Sequence, residues 1–103
     1  RDRSVSRGLG DVYKRQRMTL LTKRGASLSI RQKHLAMLSV AAGLGFEDLG
    51  ERTAAAALAD GLAPGDIEEA VFHASPYAGM ARTRAVLAGV HTAMTAAGIA
   101  LPL

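Results

Sequence analysis

Alanine dominates the second half of this 103-residue chain, Trp is absent, and aromatic residues make up 4%. A chain rich in Ala and poor in β-branched and aromatic side chains is driven toward helix. Helices built this way present small side chains, so their backbones approach closely and the grooves between them are shallow. A single domain of this size buries a modest fraction of its surface. The expectation is an all-α fold, a small bundle of about four helices, with its core completed by a partner subunit.

The punctuation of the chain places those helices. Ser29 to Gln32 reads as a capping box that opens the first helix. Ile30, Leu35, Leu38, Ala41 and Ala42 give it an apolar face, and Gly43 to Gly45 stop it. The second runs from Glu47 to Asp60, with Gly61 as its stop. The third starts at Pro64, a good first-turn residue, with Asp66, Glu68 and Glu69 favoured by the helix dipole. Pro76 removes a backbone donor and is expected to break or kink it, leaving Tyr77-Ala78-Gly79 as a turn. The fourth runs from Ala81 to Ala97, ends at Gly98, and leaves an extended tail over 99–103.

The formal charge of +4 raises the question of nucleic acid, and its distribution answers it. Residues 1–16 carry five basic and two acidic groups, whereas the remaining 87 carry eight and seven. The excess therefore belongs to the tail, and no clustered basic face remains for DNA or RNA. No signal peptide is read in residues 1–17, and the apolar run Leu35–Leu44 is too short to span a membrane. A cytoplasmic location without membrane contact is the expectation. The absence of Cys excludes thiol nucleophiles and zinc–cysteine sites, and no metal or cofactor is expected.

Residues 6–16, Ser6-Arg7-Gly8-Leu9-Gly10-Asp11-Val12-Tyr13-Lys14-Arg15-Gln16, show neither helical nor strand periodicity. They resemble the in-frame translation of a transposase-type sequencing adapter, which would make this a translated metagenomic or shotgun read. The alternative is a natural basic tail. On the adapter reading residues 1–16 are a non-native segment, 17–27 an irregular lead-in, and 28–103 the domain.

Three histidines are candidates for chemistry. His73 lies four residues after Glu69, so the two share one helix face. A carboxylate beside a His orients the ring and makes a general acid/base pair. Tyr77 can supply a phenol to the same cleft, and Gly79 keeps it open. A plain surface pair at Glu69–His73, with Tyr77 in the core, is the competing reading. His34, beside Lys33 and Arg31, reads as solvated, and His91 as a partly buried structural residue. Arg52, Arg82 and Arg84 are either carboxylate contacts or exposed charges.

Several of these segments, in this order and spacing, resemble the carboxymuconolactone decarboxylase-like (AhpD-like) family. They are Ile30-Arg31-Gln32-Lys33 before the Leu35–Gly45 helix, Ala57-Leu58-Ala59-Asp60-Gly61-Leu62, Asp66-Ile67-Glu68-Glu69, His73-Ala74-Ser75-Pro76-Tyr77-Ala78-Gly79-Met80, and Ala97-Gly98-Ile99-Ala100-Leu101-Pro102. The resemblance covers residues 28–103. It implies an all-α homo-oligomer, trimeric or hexameric. It also implies either cofactor-free decarboxylation of a small carboxylated lactone in aromatic-compound catabolism or, in a thiol-bearing branch, a peroxidase-partner activity. That branch carries Cys-x-x-Cys ahead of a His, at positions that hold Phe46, Leu49 and Thr53 here, so thiol chemistry is not expected. The decarboxylase branch usually keeps the His, and a Pro common at position 81 is Ala81.

The implied enzyme would protonate carbon through His73 with help from Glu69, hold the lactone oxygen with Tyr77, and anchor the carboxylate on Arg52 or Arg82. Thr53 and Gly79 would complete the binding site. The competing function is a catalytically degenerate oligomeric scaffold that binds the same class of ligand.

Overall fold

A computed structural model describes residues 27–103. The expectations for the tail and for most of the lead-in fall outside the described residues. Packing is described within the unit Arg31–Leu103.

Helix α1 spans Ile30–Leu44, α2 Glu47–Ala59, α3 Pro64–His73, α4 Ser75–Ala78 and α5 Met80–Ala96. The described residues contain no strand. The described residues therefore form four long helices and one additional helical turn.

Glycines and prolines set the boundaries. After α2, Gly61 adopts φ +87°, and its N–H donates to Leu58 O at 3.0 Å while Leu62 N–H donates to Ala57 O at 3.1 Å. After α5, Gly98 adopts φ +80°, with Gly98 N–H on Thr95 O and Ile99 N–H on Met94 O, both at 3.0 Å. Each is a Schellman ending, in which a left-handed residue turns the chain and two orphan carbonyls gain donors. Leu62 is buried and Ile99 packs against the core, so each turn also delivers an apolar anchor.

The break at Pro76 comes earlier and is tighter than the sequence suggests. α3 stops at His73, Ala74 interrupts the helix, and α4 restarts with Pro76 in its first turn. Pro76 has no N–H to give to the preceding turn. Tyr77 and Ala78 instead donate to Ala74 O at 3.0 and 2.8 Å. Tyr77 and Ala78 are thus helical, and the reversal falls on Gly79 at φ +90°. Thr83, fully buried, donates from Oγ1 to Gly79 O at 3.0 Å and ties α5 to that corner.

The core is built mainly from the α2–α5 contact. Leu49, Ala54 and Ala57 of α2 meet Val86, Val90 and Met94 of α5 in one buried cluster, joined by Leu38, Ala41 and Ala42 of α1 and by Ile67 and Val71 of α3. Small residues let α2 and α5 approach to backbone contact. A Cβ at Gly89 would lie 2.0 Å from Glu47 O, and one at Gly50 would lie 2.8 Å from Val86 O.

His34 is not solvated. It is 2% exposed, and its Nε2 lies 2.6 Å from Asp60 Oδ2. His34, Leu38, Ala41 and Ala42 form one stripe at i, i+4, i+7 and i+8, so the ring belongs to the buried face of α1. Lys33 projects about 100° away, and Arg31, one turn earlier, reaches out to Asp66, so neither charge makes His34 solvated. His91 is half-buried and pairs with Glu68 Oε2 at 2.6 Å, joining α5 to α3.

Candidate functional site

An open groove of about 400 Å³ runs between α1 and α3. α1 contributes Arg31, Leu35, Ala36 and Ser39, and α3 contributes Asp66, Glu69, Ala70 and His73. The helical repeat explains the set. Positions 66, 69, 70 and 73 recur at three- and four-residue steps, as do 31, 35 and 39. Leu35, Ala36 and Ala70 make the apolar part of the lining, and charged groups stand along it.

Two contacts stitch the walls together. Arg31 Nη2 donates to Asp66 Oδ2 at 2.9 Å. Ser39 Oγ lies 3.2 Å from both Leu35 O and Ala70 O, so its hydroxyl hydrogen is spent on backbone carbonyls across the helix pair. Glu69 and His73 both line the groove and both are exposed. Among the described residues no hydrogen bond or ion pair joins them.

The other sequence-predicted site residues lie elsewhere. The Tyr77 ring sits 6.2 Å from the His73 ring at a 57° tilt, but Tyr77 is 83% exposed and does not line the groove. It is neither core nor cleft wall. Arg52 pairs with Asp48 one turn earlier on α2, at 3.2 Å. Arg82 Nη1 donates to Gly43 O at 3.3 Å and so caps the end of α1. Gly79 forms the corner between α4 and α5. Thr53 is 2% exposed in the core side of α2, and its hydroxyl has no hydrogen-bond partner among the described residues. A buried hydroxyl without a partner costs stability and is uncommon in folded proteins.

The structure thus unites Glu69 and His73 and separates them from Arg52, Thr53 and Arg82. It adds Arg31, Asp66 and Ser39. Arg31 and Asp66 are 35 residues apart and the Ser39–Ala70 bond spans 31. No local spacing encodes such pairs, although Arg31 and Asp66 are both visible in sequence as charges on helix starts. No group of three His, Asp or Glu among the described residues can hold a metal ion. No described helix is long and apolar enough to cross a membrane.

The carboxymuconolactone decarboxylase family matches residues 10–92. The chain belongs to that family. Comparisons with curated proteins and with solved structures returned no match. The family match begins within the residues that resemble an adapter and ends inside α5, so it covers α1 to α4 completely. Thr53, where the resemblance would place a His, is a buried hydroxyl on α2 with no hydrogen-bond partner among the described residues, and it is not part of the α1–α3 groove lining.

Proposed function

We propose that this carboxymuconolactone decarboxylase-family protein is a small-molecule-binding scaffold whose site is the α1–α3 groove, without the family's decarboxylation chemistry. One observation carries this reading. Of the seven residues that the decarboxylase mechanism would draw on here, only Glu69 and His73 line the groove. Tyr77 points to solvent, Arg52 and Arg82 are engaged with Asp48 and Gly43, and Thr53 is buried. The groups that the family mechanism would use here against the developing negative charge, Tyr77, Arg52 and Arg82, are outside the groove lining. The groove's volume and mixed lining do fit a small ligand.

The test is a melting series on the full chain against a panel of aromatic acids and carboxylated lactones, run beside an assay for CO2 release. Stabilisation without CO2 release is the expected result. Release of CO2 that disappears in His73→Ala would overturn the scaffold reading.

A second reading, a cofactor-free carboxy-lyase, is favoured by the shared position of Glu69 and His73. In it His73 delivers the proton to carbon, Glu69 orients the ring, and Arg31 replaces Arg52 or Arg82 as the carboxylate contact. Among the described residues, Arg31 is the one guanidinium that lines the groove.

A further inference from the structure

The groove presents two opposite charges at separate places, and both have capacity left. Arg31 meets Asp66 through Nη2, at 2.9 Å, and its side chain is 57% exposed. A guanidinium has five N–H donors in a planar fork, so the edge turned away from Asp66 can still hold a carboxylate. Glu69 lies one turn further along α3 from Asp66, exposed and without a hydrogen bond or ion pair among the described residues. Ser39 has its hydrogen committed to Leu35 O and Ala70 O, so toward a ligand it offers only acceptor lone pairs. Between the charged positions the lining is short and apolar, at Leu35 and Ala70.

A ligand with a carboxylate alone would satisfy Arg31 and meet repulsion from Glu69. A ligand with an amine alone would satisfy Glu69 and meet Arg31. We propose that the α1–α3 groove takes a small dipolar molecule of the amino-acid class, with its carboxylate on the free edge of Arg31, its ammonium on Glu69, and a short apolar body over Leu35 and Ala70. This assignment rests on the reading of the groove as the ligand site and specifies its chemistry. Asp66 is then a positioning residue that holds the guanidinium toward the groove. Charge complementarity of this kind sets specificity more than raw affinity.

Three probes share one branched body and differ only in charge: L-leucine, 4-methylpentanoate and isoamylamine. Each is titrated into the full chain while the backbone amide signals of Ala70 and His73 are followed by NMR. L-leucine is expected to shift both signals saturably, with each single-charge analogue weaker by about tenfold or more, the loss of one charge-assisted hydrogen bond. Arg31→Gln should reduce L-leucine to the level of isoamylamine, and Glu69→Gln to the level of 4-methylpentanoate. Both substitutions are at exposed positions, and an unchanged spectrum elsewhere shows that the fold is intact. Equal binding of 4-methylpentanoate and L-leucine overturns the dipolar assignment but leaves the groove as a site. No shift at Ala70 or His73 with any probe also overturns the assignment. The groove reading is then decided separately by the acid and lactone panel, followed through the same two signals.

Discussion

Replacing Gly89 by Ala tests how this chain builds a core from so little bulk. The added Cβ would stand 2.0 Å from Glu47 O, 3.0 Å from Glu47 C and 2.9 Å from Glu51 N. An unforced carbon–oxygen contact is about 3.3 Å, so α5 and α2 must separate by roughly 1 Å. Inserting a methyl group into a packed core costs about 1–3 kcal/mol where side chains can yield. All three obstacles at Gly89 are helix backbone, which places the cost at the top of that range, about 3 kcal/mol. Alanine returns about 1 kcal/mol through its better helix propensity. The net loss is about 2 kcal/mol, and for a domain of this size that lowers Tm by about 8–16 °C.

Thermal unfolding of the full chain followed by circular dichroism at 222 nm measures this directly. Gly43→Ala is the matched control, because it is also helical and a Cβ there meets nothing within 4 Å. It should leave Tm unchanged or raise it slightly, by about 0.5 kcal/mol of propensity. Gly50→Ala should fall between them, since one of its two 2.8 Å obstacles is the movable Val86 Cγ1. A Gly89→Ala protein that melts at or above the parent temperature would show that α2 and α5 are not in backbone contact, and the account of the core would be wrong.

Thr53→Val replaces an unpartnered buried hydroxyl by a methyl of equal shape and should raise stability by about 1 kcal/mol in urea denaturation; a loss would mean that the hydroxyl has a partner. Asp60→Ala removes the acceptor that faces His34 Nε2 and should cost about 1–3 kcal/mol in the same assay, far more than other exposed charges. Gly61→Ala forces a side chain onto φ +87° at the α2 Schellman turn, and a melting curve should show a loss of about 1–2 kcal/mol although a Cβ there would touch nothing. Arg82→Ala should lower stability by no more than about 1 kcal/mol and leave ligand binding unchanged, because Arg82 serves the end of α1; weakened binding in titration would return it to the site.

Helix positions were readable because the residues that end helices act locally. Gly61 and Gly98 stop α2 and α5 within one residue of expectation, and Pro64 opens α3 as its fixed φ requires. Pro76 was readable as a break but not as a restart, since whether a proline ends one helix or begins the next depends on which carbonyl its neighbours find. His34 shows a signal present and misread. Its spacing to Leu38, Ala41 and Ala42 puts it on the buried stripe, and Lys33 beside it in sequence is turned about 100° away on the helix, while Arg31, one turn earlier, extends to solvent. The Glu69–His73 pair followed from one helix's own repeat. Its facing wall did not, because Arg31 and Ser39 reach it only through the packing of α1 on α3.

That contrast bears on the proposed scaffold reading. A catalytic group must touch the reacting atoms, and among the described residues only α1 and α3 supply side chains to the α1–α3 groove. α2 is committed to the core: Leu49, Thr53, Ala54 and Ala57 all face inward against α5 and the rest of the buried cluster. A His at position 53 would need more room than the Thr there, which is 2% exposed on the buried face of α2. A bulkier residue at 53 would have to be accommodated within that packed face. Threonine at 53 fits within the buried face of α2, and under the proposed reading a ligand would meet the charged α1–α3 groove lined by Arg31 and Glu69.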